Sequence, residues 1–400
     1  MAARVFITAA EVSGDIHASH LIRALRQARP DLLIEGHGGP KMREAGAKIH
    51  RETTANAAMG VSAVRRVKEM FALLGWTKKH FKTSPPDLQI CVDSPALNFH
   101  FAKIGHLAGA PVLYYVAPQL WAWRERRMKK LRKWVDRVAC ILPFEEKYFR
   151  SHDVKATFVG HPLFDELQTA SQTVHAPQPF GDAPVIGLLA GSRRSEAVKN
   201  FPRMLEVAER ILKRFPKARF LLPTTAATNP IVASYVEALS KQAGRPHHNQ
   251  FTIQQDAFDD FVPRCDLVIT VSGTATLHVA LHNVPMVVVY HGNPVLWNTV
   301  GRWLIKTRTY SLVNLLAADP GLASSGRVTP EMHIVPEFIP WYGSTQPVAG
   351  YSLELLAHPQ GLYAQRANLT KLVKRLHHPG ASRKTARMAL EMLDRKTGES

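Results

Sequence analysis

The sequence has few cysteines. Three occur in 400 residues, Cys91, Cys140 and Cys265, and each lies in an apolar stretch. An odd number of scattered cysteines supplies neither a disulfide framework nor the paired spacing of a zinc site. We interpret them as small buried hydrophobes of a protein that works in a reducing compartment.

Long hydrophobic runs are also absent. No stretch approaches the roughly 18 apolar residues that a membrane-spanning helix needs. The apolar start Val5-Phe6-Ile7 is too short for the core of a secretory signal and continues directly as a strand pattern. We therefore expect a cytoplasmic protein that contacts a membrane only from its surface.

Acidic residues are too few to balance the basic ones. The 32 Asp and Glu residues face 51 Lys and Arg residues, which gives a formal net charge of +19 at pH 7. Such a surface attracts polyanions, whether anionic lipids, phosphorylated ligands or nucleic acid. No RNA-recognition or helix–turn–helix signature occurs, and the basic runs lack interleaved aromatics. We therefore favour an anionic membrane surface and phosphorylated ligands, and expect no nucleic acid partner.

Metal-binding spacings are missing as well. The chain has 19 histidines, yet His17 and His20 have no third ligand at a telling spacing. Neither a His-Glu-x-x-His motif nor a Gly-Lys-Ser/Thr phosphate loop occurs. The sequence therefore predicts no metal site.

Short apolar strands alternate with helical stretches, which is typical of parallel sheets with helices on both faces. In the first half, strands are predicted at Arg4–Ala9, Leu32–His37, Leu88–Val92, Pro111–Tyr115, Val138–Leu142 and Ala156–Val159. In the second half, they are predicted at Val185–Leu189, Arg219–Pro223, Phe251–Ile253, Leu267–Val271 and Met286–Tyr290. Three prolines at 173–184 indicate a linker between the halves.

The pattern predicts an α/β protein with two Rossmann-like, doubly wound domains. We place them at 1–172 and 173–345, and expect the helical residues 346–400 to pack back on the first domain. Folds of this kind bind ligands at the carboxyl ends of their strands, so we expect a cleft where the two domains face each other.

Two strands of the second half end in small-residue turns that open helices. Gly191-Ser192-Arg193 follows one strand, and Ser272-Gly273-Thr274-Ala275 follows another. Unpaired backbone N–H groups and the positive end of the helix dipole make such turns anion sites, and Arg193 adds a guanidinium fork. Simple helix capping explains either turn alone. The two together favour a nucleotide site.

Polar residues also follow strands of the first half. Ser13-Gly14-Asp15 suits hydroxyl or amine recognition, or helix capping. Asp93 is either a partly desolvated general base or the start of a turn before Ser94-Pro95. Gln119 and Trp121 belong to a loop with Trp123 that suits a sugar surface or a packed aromatic corner.

The segment Val61–Lys82 has the pattern of a basic amphipathic helix. Lysines and arginines flank its apolar positions. Such a helix lies in a membrane interface or packs on the sheet, and the charge of the chain favours the membrane. The apolar residues of this membrane helix are Val64, Val67, Met70, Phe71 and Leu74.

Taken in order, the motifs resemble the lipid-A-disaccharide synthase family. The matching stretches are Glu11–Asp15, Gly38–Met42, Met59-Gly60, Val92–Pro95 with Asn98, Val116–Arg124, Leu142–Glu145, Phe158–Pro162, Gly191–Arg193, Ser272–Leu277 and Asn314–Leu316. The resemblance implies the two-domain glycosyltransferase-B fold and a reaction at the cytoplasmic face of the inner membrane that needs no metal or other cofactor. The donor is UDP-2,3-diacylglucosamine, the acceptor is 2,3-diacylglucosamine 1-phosphate, and UDP is released.

The resemblance also implies roles for residues. Asp93 matches the proposed base for the acceptor hydroxyl, and Arg193 with the two helix N-termini would neutralise the leaving UDP. The implied UDP-sugar-binding residues are Gly191, Ser192, Arg193, Ser272, Gly273, Thr274, Ala275, His278 and Asn314. The implied acceptor or cleft residues are Ser13, Gly14, Asp15, Asn98, Gln119 and Trp121.

One departure from the family bears on the donor site. The family usually has Glu at the position of His278, which suits the ribose hydroxyls, and His keeps one acceptor where Glu has two. Alternatives are another UDP-sugar enzyme of this fold, such as a UDP-N-acetylglucosamine 2-epimerase, or a homologue that binds nucleotide or membrane without catalysis. The sequence leaves the oligomeric state open, with a homodimer as one option.

Overall fold

A computed structural model of the chain describes residues 2–54, 63–121, 127–166, 180–241, 249–292, 309–325 and 327–398. The chain divides into two compact units. The first contains Met1–Ala170 and Leu376–Ser400, and the second contains Ser171–Arg375. Met59-Gly60, the Trp123 part of the aromatic loop and most of the linker lie outside the described residues, as does the Val64 side chain.

The first unit is built on a seven-stranded parallel sheet in the order β3-β2-β1-β4-β5-β6-β7. The strands are β1 Arg4–Ala9, β2 Leu33–Gly38, β3 Lys48–Glu52, β4 Leu88–Val92, β5 Val112–Tyr115, β6 Arg137–Cys140 and β7 Ala156–Phe158. The helices are α1 Val12–Ala28, α2 Pro40–Glu44, α3 Ala63–Thr83, α4 Pro95–Leu107, α5 Met128–Trp134, α6 Glu145–Arg150, α7 Leu163–Glu166 and, at the end of the chain, α16 Ala381–Thr397. Every side chain of β4 and β5 is buried, as expected of a parallel sheet covered on both faces.

The second unit has a six-stranded parallel sheet in the order β10-β9-β8-β11-β12-β13. The strands are β8 Val185–Leu189, β9 Arg219–Thr224, β10 Phe251–Gln255, β11 Leu267–Val271, β12 Met286–His291 and β13 Glu337–Trp341. The helices are α8 Arg194–Arg214, α9 Asn229–Lys241, α10 Phe258–Phe261, α11 Thr274–Leu281, α12 Leu312–Ala317, α13 Pro320–Ser325, α14 Gln346–Ala357 and α15 Gln360–Leu376.

All eleven predicted strands are present, with ends that differ by at most two residues, and the predicted fold class is confirmed. Two further strands were not predicted. β3 is an edge strand with exposed charged residues, so it lacks an apolar run. β13 contains Pro340 next to partly exposed residues, and both features hide a strand in sequence.

The last helices do not form one group. The sequence pattern assigned residues 346–400 together to the first domain, but α14 buries Val348 and Leu356 in the core of the second unit, and α15 adds Leu362. Only α16 joins the first unit, where Ala389 and Leu393 enter its core. The expectation for 346–375 was wrong because these helices carry apolar faces that fit the nearer sheet.

Each sheet has one topological switch point, where the strand order reverses. In the first unit it lies between β1 and β4, and in the second between β8 and β11. Chains leaving these neighbouring strands move apart, which opens a crevice at their carboxyl ends. The turns that follow these four strands are the ones that the sequence singled out.

Candidate functional site

Asp93 follows β4 in a strained backbone. Asp93 has φ of 54° and Ser94 has φ of 43°, and Val116, directly after the neighbouring β5, has φ of 59°. Left-handed conformations are uncommon for residues other than glycine, and rarest for β-branched ones. Strain of this kind persists only where surrounding contacts enforce it, and it concentrates at functional sites.

Hydrogen bonds enforce this conformation. The Asp93 carbonyl accepts from the Tyr114 hydroxyl at 2.7 Å and from Nδ2 of Asn98 at 2.8 Å. Nδ2 of Asn98 also reaches the Val92 carbonyl at 2.8 Å, and its Oδ1 accepts from the Thr8 hydroxyl at 2.7 Å. Asn98 is fully buried. It was expected to line the cleft, but its hydrogen bonds make it a positioning residue for Asp93.

The start of α1 lies against the same strand end. A Cβ on Gly14 would stand 3.5 Å from the Val92 carbonyl oxygen and 3.8 Å from the Asp93 Cβ, so this glycine lies in contact distance of Asp93. Ser13 is exposed at this point. Oγ of Ser94 is buried, and the described residues offer it no hydrogen-bond partner. Gly14 and Asp93 therefore meet at the first switch point, and the exposed Ser13 directly precedes Gly14.

Asp15 has a structural task. Its carboxylate is buried and accepts from the backbone N–H groups of Gly39, Lys41 and Met42 at 2.8 to 3.1 Å. These bonds satisfy the open N-terminus of α2. Of the two interpretations given to this residue, capping fits the structure, although the capped helix is not its own.

Trp121 is a packed corner and not an open sugar surface. Its ring is buried against Phe144, and Nε1 donates to Oε1 of Glu145 at 3.1 Å. Oε2 of Glu145 accepts from the Leu142 N–H at 3.1 Å. Burial raises the pKa of Glu145 to about 7, against the lowering effect of these hydrogen bonds. The acceptor contact of Trp121 stays a prediction, and the neighbouring Gln119 is exposed.

The turn after β8 opens α8, and its arginine is paired to a glutamate that caps the same helix. Gly191 has φ of 103°, and a Cβ there would stand 2.5 Å from the Glu196 carboxylate. Nη1 of Arg193 lies 3.3 Å from Oε1 of Glu196, and the Arg193 side chain remains 57% exposed. Ser192 is exposed, and its carbonyl accepts from the Thr225 hydroxyl at 3.1 Å. The turn is thereby fixed to the neighbouring strand while the guanidinium stays accessible.

The turn after β11 is open at its tip and fixed at its base. Gly273 has φ of 152°, and a Cβ there would meet no atom within 4 Å. Gly273 and Thr274 are exposed and Ala275 is half-buried at the start of α11. Oγ of Ser272 donates to the Tyr310 carbonyl at 2.7 Å. Free space before a helix N-terminus is where an anion binds.

Asn314 contacts Glu337, which in turn binds the Tyr310 segment that holds Ser272. It is fully buried, donates to the Val335 carbonyl and to Oε1 of Glu337, and accepts from the N–H groups of Ile334 and Val335. The side-chain amide thus uses its hydrogen-bonding capacity within the unit, and its contact with the donor stays a prediction. Glu337 was missed in the sequence. It accepts from the Tyr310 N–H at 2.9 Å and so orders the segment that holds Ser272.

Comparison with known proteins identifies the chain. A family model described as lipid-A-disaccharide synthetase matches residues 5–392. The lipid-A-disaccharide synthase of Geobacter metallireducens is 34% identical over 398 residues, covering 98% of each chain. That of Nitrosococcus oceani is 33% identical over 395 residues, covering 98% of this chain and 96% of the relative. The chain belongs to the lipid-A-disaccharide synthase family.

Solved structures support the fold. The UDP-GlcNAc 2-epimerase from Neisseria meningitidis bound to UDP-GlcNAc aligns with a TM-score of 0.62, covering 98% of this chain and 99% of that chain at 13% identity. This likeness shows the glycosyltransferase-B fold alone. The chain is a glycosyltransferase of lipid A biosynthesis, and the epimerase alternative is not favoured because the near-complete sequence match is to synthases.

His278, which stands where the family usually has Glu, lies beside an aspartate that the sequence did not predict to be near it. Nε2 of His278 lies 2.8 Å from Oδ1 of Asp259, and the His278 ring stacks on Phe258 at 4.1 Å. Nε2 of His282 lies 2.8 Å from the same oxygen. This group of side chains was not predicted from the sequence. Its signal was the i, i+4 spacing of the two histidines on one helix.

The helix predicted to contact the membrane exists as α3. Val67 is 48% exposed and Phe71 is 64% exposed, one turn apart, whereas Met70 and Leu74 are half-buried. Leu74 packs on the core of the first unit. No helix among the described residues is both long and apolar enough to cross a bilayer. One face of α3 therefore packs on the unit, and another leaves a narrow apolar stripe in solvent.

Proposed function

We propose that the chain joins UDP-2,3-diacylglucosamine to 2,3-diacylglucosamine 1-phosphate by an in-line, inverting transfer. The 6-hydroxyl oxygen of the acceptor forms the new bond to the anomeric carbon as the bond from that carbon to UDP breaks. The observation that carries this proposal is the strained, hydrogen-bonded strand end at Asp93 in a member of the synthase family.

Asp93 takes the proton of the acceptor hydroxyl. Its backbone carbonyl is held by Asn98 and Tyr114, so less ordering of this strand end remains to be done when the acceptor arrives. Gly14 lies beside Asp93 and adds no side chain there. A positioned general base contributes typically about 10²–10⁴-fold to the rate.

The second unit holds the donor. The Gly191 and Gly273 turns flank its switch point, and backbone N–H groups at the starts of α8 and α11 face the diphosphate. Arg193 exchanges its exposed contact with Glu196 for a phosphate oxygen. Together these groups stabilise the charge that develops on UDP. His278 binds a ribose hydroxyl through Nδ1, since its Nε2 faces Asp259.

The acylated substrates bring the protein to the cytoplasmic face of the inner membrane. The stripe of Val67 and Phe71 enters the interface, while the exposed Lys68, Lys78 and Lys79 of the same helix meet anionic headgroups. The formal charge of +19 supports attraction to an anionic membrane over a longer range.

The test uses the purified chain with both acylated sugars, and mass analysis of the product. We expect the tetraacyl disaccharide 1-phosphate and UDP. Asp93→Asn should lower kcat by about 10²–10⁴-fold while UDP affinity, measured by calorimetry, stays nearly unchanged. Asp153→Asn, at another left-handed but exposed aspartate, is the control and should retain full turnover. Full turnover by Asp93→Asn would remove this residue from the mechanism.

A further inference from the structure

Three side chains that the transferase mechanism leaves in part unexplained converge beside α11. His278 and His282 stand four residues apart and present Nε2 atoms to one side of the helix, with ring centroids 5.4 Å apart. Asp259, on α10, faces both of them. The donor atoms of the three residues all lie within 4.8 Å of one another.

The contacts within this trio are not those of a closed hydrogen-bond network. Both Nε2 atoms lie 2.8 Å from a single oxygen, Oδ1 of Asp259. Nε2 of His282 makes a hydrogen bond to this oxygen, but the buried Nε2 of His278 does not. A buried polar atom without a hydrogen bond calls for an explanation, and an ion bound beside it is one such explanation.

The carboxylate of the trio is open to solvent. The Asp259 side chain is 55% exposed. Solvent can therefore reach the trio and supply a further ligand.

A second trio in the first unit shows the contrast. Nε2 of His50 and Nε2 of His80 are 2.9 and 3.0 Å from different oxygens of Glu35, and both make hydrogen bonds. Their rings pack among Trp76 and Phe6. Both Nε2 atoms of this second trio are hydrogen-bonded to Glu35, so its contacts are explained without an ion.

We propose that Asp259, His278 and His282 bind a divalent transition-metal ion, for which Zn²⁺ is the best match. Two imidazoles and one carboxylate with an open position for water are a preferred ligand set of zinc. Ligands at about 2.0–2.2 Å from an ion lie roughly 3.3–3.6 Å apart in a tetrahedron, which small rotations of these side chains achieve. The i, i+4 pair on a helix already fixes two of the ligands.

The experiment measures metal binding directly. The full chain, free of any histidine tag and treated with a chelator, is titrated with Zn²⁺ by calorimetry and with Co²⁺ by visible absorption. We expect one ion per chain and a Co²⁺ spectrum typical of mixed nitrogen and oxygen ligands. His282→Ala and Asp259→Ala should each weaken Zn²⁺ binding by at least about 100-fold, since even the loss of an outer hydrogen bond costs 10–100-fold.

Two control variants decide the location of the ion. His358→Ala removes an exposed histidine from the same unit and should leave Zn²⁺ affinity unchanged. His50→Ala opens the trio of the first unit and should also keep the ion. No binding by the unaltered chain, or equal affinity in His282→Ala and Asp259→Ala, would overturn the proposal. Loss of the ion only in His50→Ala would overturn it too. Circular dichroism on each variant shows that the chain remains folded.

Discussion

At the scale of the residue, the pair of Arg193 and Glu196 offers a test of the proposed donor site. Their contact is exposed, so it contributes little to stability and is easily exchanged for a phosphate. Arg193→Ala should weaken UDP binding by roughly 2–3 kcal/mol if the guanidinium forms a charge-assisted bond to the diphosphate. Calorimetry with UDP measures this directly. Lys199→Ala, on the same helix, is a control for lost positive charge, and equal UDP affinity of the Arg193 variant would contradict the assignment.

Glu145 predicts a pH dependence of stability. Burial raises its folded-state pKa to about 7 from an ordinary value of 4.5, so the folded chain holds the proton more tightly than the unfolded chain. The contribution of Glu145 to stability is therefore fully present below about pH 4.5 and is lost as the pH rises toward 7, by a free energy on the order of 3 kcal/mol. Denaturant unfolding between pH 5 and 8 should show a shallower fall in Glu145→Gln. Equal slopes in both proteins would contradict this.

Residue types in a motif could be predicted from sequence, but their contacts could not. Asn98 and Asn314 were predicted as members of site motifs. Both side chains are buried and form hydrogen bonds to residues of other elements. Asp15 and Trp121 show the same. A motif residue that holds the backbone of a site and one that contacts the ligand have the same sequence signal. Only the burial and the hydrogen-bond partners separate them.

At the scale of the element, strands buried on both faces were predictable because each is a short apolar run between polar turns. The edge strands β3 and β13 lack that run, and only pairing with a neighbour defines them. The trio at α11 was hidden for a related reason. Asp259 is brought to His278 by the packing of two helices that follow different strands.

The membrane helix α3 is the element whose exposed face can be tested. Val67→Glu with Phe71→Glu should lower binding to vesicles containing anionic lipid by about 10-fold or more, since each apolar side chain loses roughly 1.5–3 kcal/mol of burial. Co-sedimentation with vesicles measures the bound fraction. Val198→Glu, which alters an exposed valine on α8 of the second unit, is the matched control. Equal loss in this control would indicate a general effect of charge and not a docking face.

At the scale of the whole molecule, the unit that each terminal helix joins is what the sequence predicts least well. Two α/β domains followed from the strand pattern, but the return of the chain to the first unit depends on which core the terminal helices fit. α16 lies beside α1, and Nη1 of Arg29 is 2.9 Å from Oδ1 of Asp394 across these helices. Residues separated by more than 350 positions thus complete one core.

Because α16 completes this core, the end of the chain contributes to the stability of the unit that contains Asp93. Leu393 is fully buried in the same core as Val92. Leu393→Ala should lower the free energy of unfolding of the first unit by about 2–5 kcal/mol, the cost of a large-to-small change in a packed core. Arg387→Ala, on the exposed face of α16, should change it by less than about 0.5 kcal/mol. Hydrogen exchange at the β4 amides reports the opening of this unit alone. Unchanged protection there in Leu393→Ala would show that α16 does not complete the core.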